Sequence, residues 1–195
     1  MLKTNAKHGT VLILGIALST LTYGSNTGFG LTIGRQGSGF YVRRAHTWRN
    51  ARELGLEAHF VDITGENEFK LVDPYTGTPY TFNGQSLVLI PMFLTGTWFL
   101  FEGQIDNQFS PYLTAKAGLL IAADGDESID RWVERWRQPE ISFAPAIQLG
   151  GGIRFMLPMN SLFSMTVAYA IYPLSKPVDG RRNYNGMTFQ FGFSR

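Results

Sequence analysis

The sequence predicts an all-β protein, an eight-stranded antiparallel up-and-down β-barrel that spans a membrane. Three observations lead to this fold class: long runs of alternating apolar and small or polar residues, a composition rich in glycine and aromatics, and an N-terminus typical of exported proteins. Of the 195 residues, 44% are hydrophobic, 14% are aromatic and 16% are charged, and 22 are glycine. This mixture favours many strands joined by turns over a helical bundle, and it excludes intrinsic disorder.

The N-terminus resembles a secretory signal peptide. Lys3 and Lys7 precede an uncharged apolar run, VLILGIALSTL, and the small residues Thr22 and Gly24 follow it. The run is shorter than the about 20 residues that a membrane-spanning helix needs. We therefore expect residues 1–24 to be a signal peptide and residues 25–195 to form the barrel. A buried N-terminal helix is the alternative.

Alternation with a period of two is clearest in the C-terminal half. It runs through residues 141–157, where one face is built of Ile, Phe, Leu and Pro and the other of Ser, Ala, Gly, Gln and Arg. The same pattern returns in residues 162–172 and 186–194. A strict period of two over eight or more residues is that of a strand and not of a helix.

The chemistry of the two faces separates a membrane barrel from a soluble one. A soluble barrel or sandwich shows charged residues on its outer face, whereas here the face opposite the bulky residues consists mostly of Gly, Ala, Ser, Thr and Gln. Small side chains fit the inside of a narrow closed barrel, with the bulky apolar set turned to lipid. A soluble exported barrel that binds an apolar ligand remains the alternative.

The predicted strands and their connections fit a membrane barrel. The eight strands are expected at residues 27–36, 39–48, 52–63, 86–101, 109–123, 141–157, 162–172 and 186–194. Outer-membrane barrels have short periplasmic turns and long external loops. Six of the seven connections follow this rule, and only the tight first one, around Gly37 and Ser38, departs from it.

Two strands do not fit simple alternation. Residues 86–101 are apolar on both faces, as a buried sandwich strand would also be, although Pro91 and Gly96 allow a bulge that changes which face points inward. Arg43 and Arg44 are adjacent, so strict alternation turns one of them to lipid. We expect a bulge there as well, or a strand that is centred differently.

The inward-facing polar residues are the candidate site. We expect these residues to form a polar network in the lumen, made of Glu53, Glu57, His59, Lys116, Gln148, Arg154 and Gln190. At least one of Arg43 and Arg44 is expected to join it. Buried charges need partners, and the set holds both acids and bases. The prediction is a structural salt-bridge network in a lumen too narrow to conduct, with a gated ion path or a catalytic acid/base pair as alternatives.

Other chemistry finds little support in the sequence. There are no cysteines, no metal-ligand cluster and no phosphate-binding or dinucleotide motif, so we expect no metal and no cofactor. The net charge of +2 is too small and scattered for nucleic-acid binding. We assign no catalytic residue, although a lipid A-modifying enzyme that uses His46 or His59 is the alternative function.

The expected external loops carry the candidate interaction surface. Trp132 and Trp136 lie at helical spacing, with Arg131 and Arg135 on the polar side. They predict either a short amphipathic helix on the outer leaflet, with arginines on lipopolysaccharide phosphates, or a loop folded over the barrel mouth. The segment DPYTGTPY at residues 73–80 predicts a β-hairpin extension or a partner-binding tip.

The chain resembles a known family over essentially the whole length after residue 24, and two segments carry the resemblance. SPYLTAKAG at residues 110–118 is similar to a strand common in the small eight-stranded outer-membrane β-barrel superfamily, the OmpA/OmpW-like and opacity-protein group. YNGMTFQF at residues 184–191 resembles the final-strand signal that the barrel-insertion machinery reads, although this chain ends in Ser194-Arg195 instead of an aromatic residue. The resemblance implies a Gram-negative cell-envelope protein whose partners are outer-membrane lipid, lipopolysaccharide, the insertion machinery and an unknown protein.

Overall fold

The fold is described from a computed structural model. It describes the chain in the following ranges: 25–48, 51–63, 69–72, 74–75, 77, 79–82, 87–101, 109–125, 136–137, 139–178 and 181–195. The expected signal peptide, residues 1–24, lies outside the described residues.

Eight long strands close into one antiparallel barrel, which confirms the predicted fold class. They are β1 (Ser25–Gly34), β2 (Gly37–Thr47), β3 (Arg52–Ile63), β6 (Leu87–Phe99), β7 (Phe109–Asp124), β8 (Glu140–Leu157), β9 (Ser161–Ile171) and β12 (Gly186–Ser194). Around the barrel the order is β1, β12, β9, β8, β7, β6, β3 and β2, so the first and last strands pair and leave no free edge. Each observed strand begins and ends within two residues of its predicted bounds.

Four short strands form two hairpins outside the barrel. β4 (Phe69–Val72) pairs with β5 (Pro79–Phe82), so the segment around residues 73–80 is a hairpin extension. β10 (Pro173–Val178) pairs with β11 (Arg181–Asn183) in the last long connection. Both hairpins lie at the barrel end that carries the long connections, which we call the external end. The other end, with short turns and both termini of the barrel, is the periplasmic end.

The turn between β8 and β9 is the tightest on the periplasmic side. Residues Pro158–Asn160 form a single 3-10 turn, in which Met159 and Asn160 both have left-handed backbone conformations, with φ of 62° and 57°. Two successive left-handed residues match the twist of a two-residue hairpin connection. The long strands β8 and β9 are thereby joined with almost no periplasmic loop.

The outward face of the barrel is a continuous apolar belt. Its large side chains are exposed on every barrel strand, among them Leu31, Leu94, Leu149 and Val167. Near the periplasmic end, neighbouring phenylalanines form a row, with centroid distances of 6.4 Å for Phe29–Phe193, 4.9 Å for Phe163–Phe193 and 6.3 Å for Phe155–Phe163. An apolar band flanked by aromatic residues is the exterior of a barrel in lipid.

No bulge forms at Arg43 and Arg44, and the other expectation, a strand centred differently, is the one observed: β2 spans Gly37–Thr47 instead of residues 39–48. The β2–β3 register runs without interruption from Ser38 opposite Asp62 to Thr47 opposite Glu53. Arg43 points into the barrel, and Arg44 lies on the outward face near the periplasmic end of β2, where its Nε donates to Ser25 Oγ at 3.4 Å. Regular alternation is tolerated because Arg44 lies close to the strand end and not at the middle of the bilayer, where a charge costs most.

The bulge that Pro91 and Gly96 would allow in β6 is also absent. β6 pairs continuously with β7, from Leu87 opposite Asp124 to Phe99 opposite Tyr112. Its inward side chains near the external end, Leu87, Leu89 and Phe93, are buried in an apolar cluster. The strand is apolar on both faces because one face contacts lipid and the other fills the external half of the barrel.

Substitution of a lipid-facing leucine tests the membrane assignment. Leu149 lies midway along β8 with its side chain 56% exposed, and Ile141 lies near the external end of the same strand at 54%. We expect Leu149→Arg to destabilise the barrel folded in lipid vesicles by about 2–4 kcal/mol, and Ile141→Arg to destabilise it by about 0–1 kcal/mol. The measurement is urea-dependent folding, followed by the mobility of the unboiled protein on a detergent gel.

A soluble barrel gives a different result in the same experiment. On a water-exposed surface both substitutions would change stability by less than about 0.5 kcal/mol. Equal and small effects of the two arginines would therefore contradict a lipid-facing belt.

Candidate functional site

Glu53 is the centre of a charged cluster at the periplasmic end of the lumen. Arg154 Nη1 and Nη2 donate to its two carboxylate oxygens at 2.6 and 2.8 Å, and Arg43 Nη2 donates to Oε2 at 2.7 Å. The Arg154 guanidinium also lies over the Phe99 ring, 4.4 Å from its centroid. One carboxylate thus holds two guanidinium groups, from β2 and β8, on opposite sides of β3. We call Glu53, Arg154 and Arg43 the periplasmic cluster.

A second cluster lies nearer the middle of the lumen. Lys116 Nζ donates to Glu57 and, at 2.9 Å, to Gln190 Oε1. His59 Nε2 lies 2.6 Å from Glu57 Oε1, so Glu57 is held between the ammonium and the imidazole. These four residues, together with Gln148, form the central cluster. Each is less than a tenth exposed, which requires the paired arrangement that they have.

Amide side chains extend the central cluster across the barrel. Gln190 Nε2 donates to Gln148 Oε1 at 3.2 Å, and Gln148 Nε2 donates to Thr188 Oγ1 at 2.8 Å. Thr188 Oγ1 in turn donates to the Ala168 carbonyl at 3.4 Å. The hydrogen bonds run from β3 through β7, β12 and β8 to β9, so side chains from opposite walls are joined across the lumen.

Two buried tyrosines fill the lumen where the wall is made of glycine. A Cβ added at Gly192 would lie 2.2 Å from Tyr41 Oη, and one added at Gly152 would lie 2.7 Å from Tyr112 Oη. Tyr112 Oη lies 2.6 Å from Thr166 Oγ1, and the Tyr41 ring stacks on His59 at 5.1 Å. The glycines on β8 and β12 therefore give the aromatic rings the room that an eight-stranded barrel otherwise lacks.

The external half of the lumen is apolar. Its buried cluster includes Leu87, Leu89, Phe93 and Leu120 from the barrel wall, together with alanines of β7, β8 and β9. We call this group the external cluster. The β10–β11 connection joins it, since its members also include Tyr172, Leu174, Val178 and Tyr184. The last external loop is therefore packed into the barrel mouth.

Hydrogen bonds fix that loop in place. Gln36, in the tight β1–β2 turn, donates from Nε2 to the Tyr184 carbonyl at 2.8 Å. Tyr184 Oη donates to the Val178 carbonyl at 2.9 Å, and the Tyr172 N–H donates to Asn185 Oδ1 at 2.7 Å. The first and the last external connections are thus tied together above the external cluster.

Two cavities of about 10 Å³ each lie inside the described barrel. One lies between the periplasmic and central clusters, lined by Arg43, Glu57, Lys116 and a group of hydroxyl side chains. The other lies above the central cluster, lined by Gln36, His59, Gln148 and Tyr172 among others. Each has room for about one water molecule.

The structure brings all seven lumen residues predicted from sequence into the two clusters. The sequence does not decide whether Arg43 or Arg44 faces the lumen, and in the structure Arg43 does so and joins the periplasmic cluster. Tyr41, Thr95 and Thr97 were not singled out, although each lies at an inward position of its strand's alternation. Of the predicted loop residues, Trp132, Arg131 and Arg135 lie outside the described residues, and Trp136 lies half-buried in a turn.

The two histidines within the described residues lie on different sides of the barrel wall. His59 faces the lumen between the Tyr41 and Phe93 rings, and His46 lies on the outward face at the periplasmic end of β2. Among the described residues, no group of His, Asp and Glu side chains is arranged to hold a metal ion. No helix in the described part of the chain is long and apolar enough to span a membrane.

Comparison with solved structures supports the fold. No family model matches the sequence, and no curated protein matches it. Neisserial surface protein A (NspA) is similar in structure, with a TM-score of 0.56, 10% identity, and coverage of 87% of this chain and 92% of that chain.

Two further structures match more weakly. Ail, the attachment invasion locus protein of Yersinia pestis, has 13% identity, a TM-score of 0.47, and coverage of 87% of this chain and 95% of that chain. The outer membrane protein OprG from Pseudomonas aeruginosa has 14% identity, a TM-score of 0.46, and coverage of 88% and 94%.

A closed barrel satisfies its backbone hydrogen bonds internally, and an apolar outer belt requires lipid around it. These two features, with the likeness to Neisserial surface protein A, confirm the resemblance seen in the sequence at the level of the fold. The chain has the fold of the small eight-stranded outer-membrane β-barrels, with an exterior suited to lipid.

Proposed function

We propose that the protein is a structural and interaction barrel of the outer membrane, with a lumen that does not conduct and a functional surface formed by its external loops. The observation that carries the proposal is the filling of the lumen along its length. The periplasmic cluster, the central cluster and the external cluster follow one another between the two ends. The cavities between them hold about 10 Å³ each.

The paired charges support a structural role for the two polar clusters. Both carboxylates, Glu53 and Glu57, are bonded to cationic side chains from other strands. Groups paired in this way link β2, β3, β7 and β8 across the lumen. A solute could pass only if these ion pairs separated in a low-dielectric space, where an unpaired charge is costly.

The external surface supports an interaction with lipopolysaccharide. Arg35, Arg137 and Arg182 are exposed and lie on three different external connections. Guanidinium groups bind phosphate oxygens through two parallel hydrogen bonds, so these arginines are suited to the phosphates of lipopolysaccharide. The tip of the β4–β5 hairpin, where Tyr75 is 96% exposed, is a second contact surface, suited to a protein partner.

The C-terminal strand supports recognition by the barrel-insertion machinery. β12 presents Met187, Phe189 and Phe193 on its lipid-facing side, and its pairing with β1 continues through reciprocal backbone hydrogen bonds between Arg195 and Thr27 at 2.9 Å. The final residues therefore extend the closing pair of strands.

Neither alternative function gains a specific observation. A lipid A-modifying enzyme would need a reactive group near the outer leaflet, whereas His59 faces the lumen and His46 lies at the opposite end of the barrel. A soluble barrel would put its apolar surface inside, whereas the bulky apolar side chains here are outside.

Conductance tests the proposed closed lumen. We expect the full protein in planar lipid bilayers to give no stepwise currents, because the ion pairs and the external cluster block the path. The double variant Gln148→Ala/Gln190→Ala, which removes two side chains that cross the lumen, is the control for detection of an opened barrel. Stepwise currents from the unmodified protein that change on Lys116→Met would contradict the proposal.

A double-mutant cycle tests the structural role of the periplasmic cluster. We expect Arg154→Gln to destabilise the protein by about 3–5 kcal/mol, because it leaves the Glu53 carboxylate buried with one partner fewer. The double variant Glu53→Gln/Arg154→Gln should cost less than the sum of the single changes. Urea unfolding in detergent measures both, and Arg52→Gln, at an exposed position beside Glu53, is the matched control. Strict additivity would show that the pair contributes nothing as a pair.

Lipopolysaccharide binding tests the proposed external surface. We expect Arg35→Gln/Arg182→Gln to weaken binding of purified lipopolysaccharide by about tenfold, because two phosphate contacts are lost. The matched control, Arg52→Gln/Arg195→Gln, removes two exposed arginines at the periplasmic end and should leave the affinity unchanged. Equal loss in both double variants would indicate attraction by net charge alone.

A further inference from the structure

The cavity between the periplasmic and central clusters has an unusual lining. Two cationic side chains, Arg43 and Lys116, face it together with one carboxylate, Glu57. The remaining wall consists of seven hydroxyl side chains, Thr95 among them, and the amide of Gln190. A space lined by cations and hydroxyl donors has the chemistry of an anion site.

The charges around this cavity do not balance. Among the described residues, the charged side chains facing the periplasmic and central lumen are the cations Arg43, Lys116 and Arg154 and the carboxylates Glu53 and Glu57. Asp124 and Glu140 form a residue pair at the external end of β7 and β8, beyond the external cluster. One positive charge therefore has no counterpart, and a proton on His59 would add to the excess.

Three residues that line this cavity carry unused donors. Arg43 Nε and Thr95 Oγ1 are both buried without a hydrogen-bond partner, and Thr95 is only 1% exposed. Lys116 Nζ carries three protons and uses two of them, on Glu57 and Gln190. An unsatisfied buried donor destabilises the folded state, so an occupant that accepts from all three groups stabilises the fold.

We propose that this cavity binds a small monovalent anion, with chloride as the physiological occupant. The ion would accept hydrogen bonds from Arg43 Nε, Thr95 Oγ1 and Lys116 Nζ, and its charge would offset the excess of one cation. A water molecule could accept some of these bonds, but it would leave the charge uncompensated. The inference does not depend on the proposed function of the external loops.

The second cavity provides an internal comparison. It is of the same size, but its lining residues, which include Thr32, Gln36, His59 and Gln148, contain no Lys or Arg. A general effect of salt on the barrel would not distinguish the two cavities. A bound anion would distinguish them, because only the first offers a surplus positive charge.

The test compares stability in chloride and in a larger anion. The full protein, folded in detergent, is unfolded with urea in sodium chloride or in sodium gluconate at equal ionic strength. We expect a saturable increase in the unfolding midpoint with chloride, because a ligand present at a hundred times its dissociation constant favours the folded state about a hundredfold. Bromide should act like chloride, and gluconate is too large to enter.

Three variants assign the effect. Thr95→Val removes one donor without changing charge, and Arg43→Gln removes the surplus cation; both should reduce or abolish the chloride dependence. Thr32→Val makes the same change as Thr95→Val at an equally buried position of the other cavity and should keep the dependence. If Arg43→Gln does not fold, Thr95→Val against Thr32→Val decides the question alone.

Anomalous scattering from crystals grown in bromide gives the direct answer. A bromide peak between Arg43, Thr95 and Lys116 would establish the site. A midpoint equal in chloride and gluconate, or a chloride dependence that is the same in all three variants, would overturn the proposal and leave water as the occupant of the cavity.

Discussion

Lipid offers no hydrogen bonds to a polypeptide, so a membrane barrel must pair every backbone group within its own sheet. With eight strands this closure leaves an interior just wide enough to be filled by side chains. The interior then admits glycine, alanine and threonine on the wall and a few long side chains across it. Because those long side chains include five charged ones in the periplasmic and central lumen, their pairing is a condition of closing the barrel at all.

Alternation predicts this architecture well because both faces of each strand have a fixed environment. The predicted bounds of β3, residues 52–63, are those observed, and the inward positions of β8 and β12 are correct throughout. The two bulges that the sequence suggested are absent for a common reason. Alternation shows which residues share a face, but not how deep each lies in the bilayer. Arg44 can face outward because it lies near a strand end. Leu87 and Leu89 can face inward because the lumen is apolar at the external end.

The partners within the lumen could not be predicted in the same way. Glu53 and Arg154 are 101 residues apart, and they meet only because β3 and β8 face each other across a closed barrel of this register. A sequence shows that acids and bases are present in the lumen, and it shows nothing of which pairs they form. The cavity beside Arg43 depends further on the position of Tyr41 against Gly192, a contact between β2 and β12 that exists only once the ends of the chain have joined.

The two external hairpins differ in how they are attached to the barrel, so the surface at the external end contains two kinds of loop. The β10–β11 connection contributes Leu174, Val178 and Tyr184 to the external cluster, so its sequence is constrained as a protein core is. The β4–β5 hairpin has an exposed tip, where Tyr75 is 96% exposed. Sequence diversity and foreign epitopes are therefore tolerated at one loop and excluded from the other, within a single small barrel.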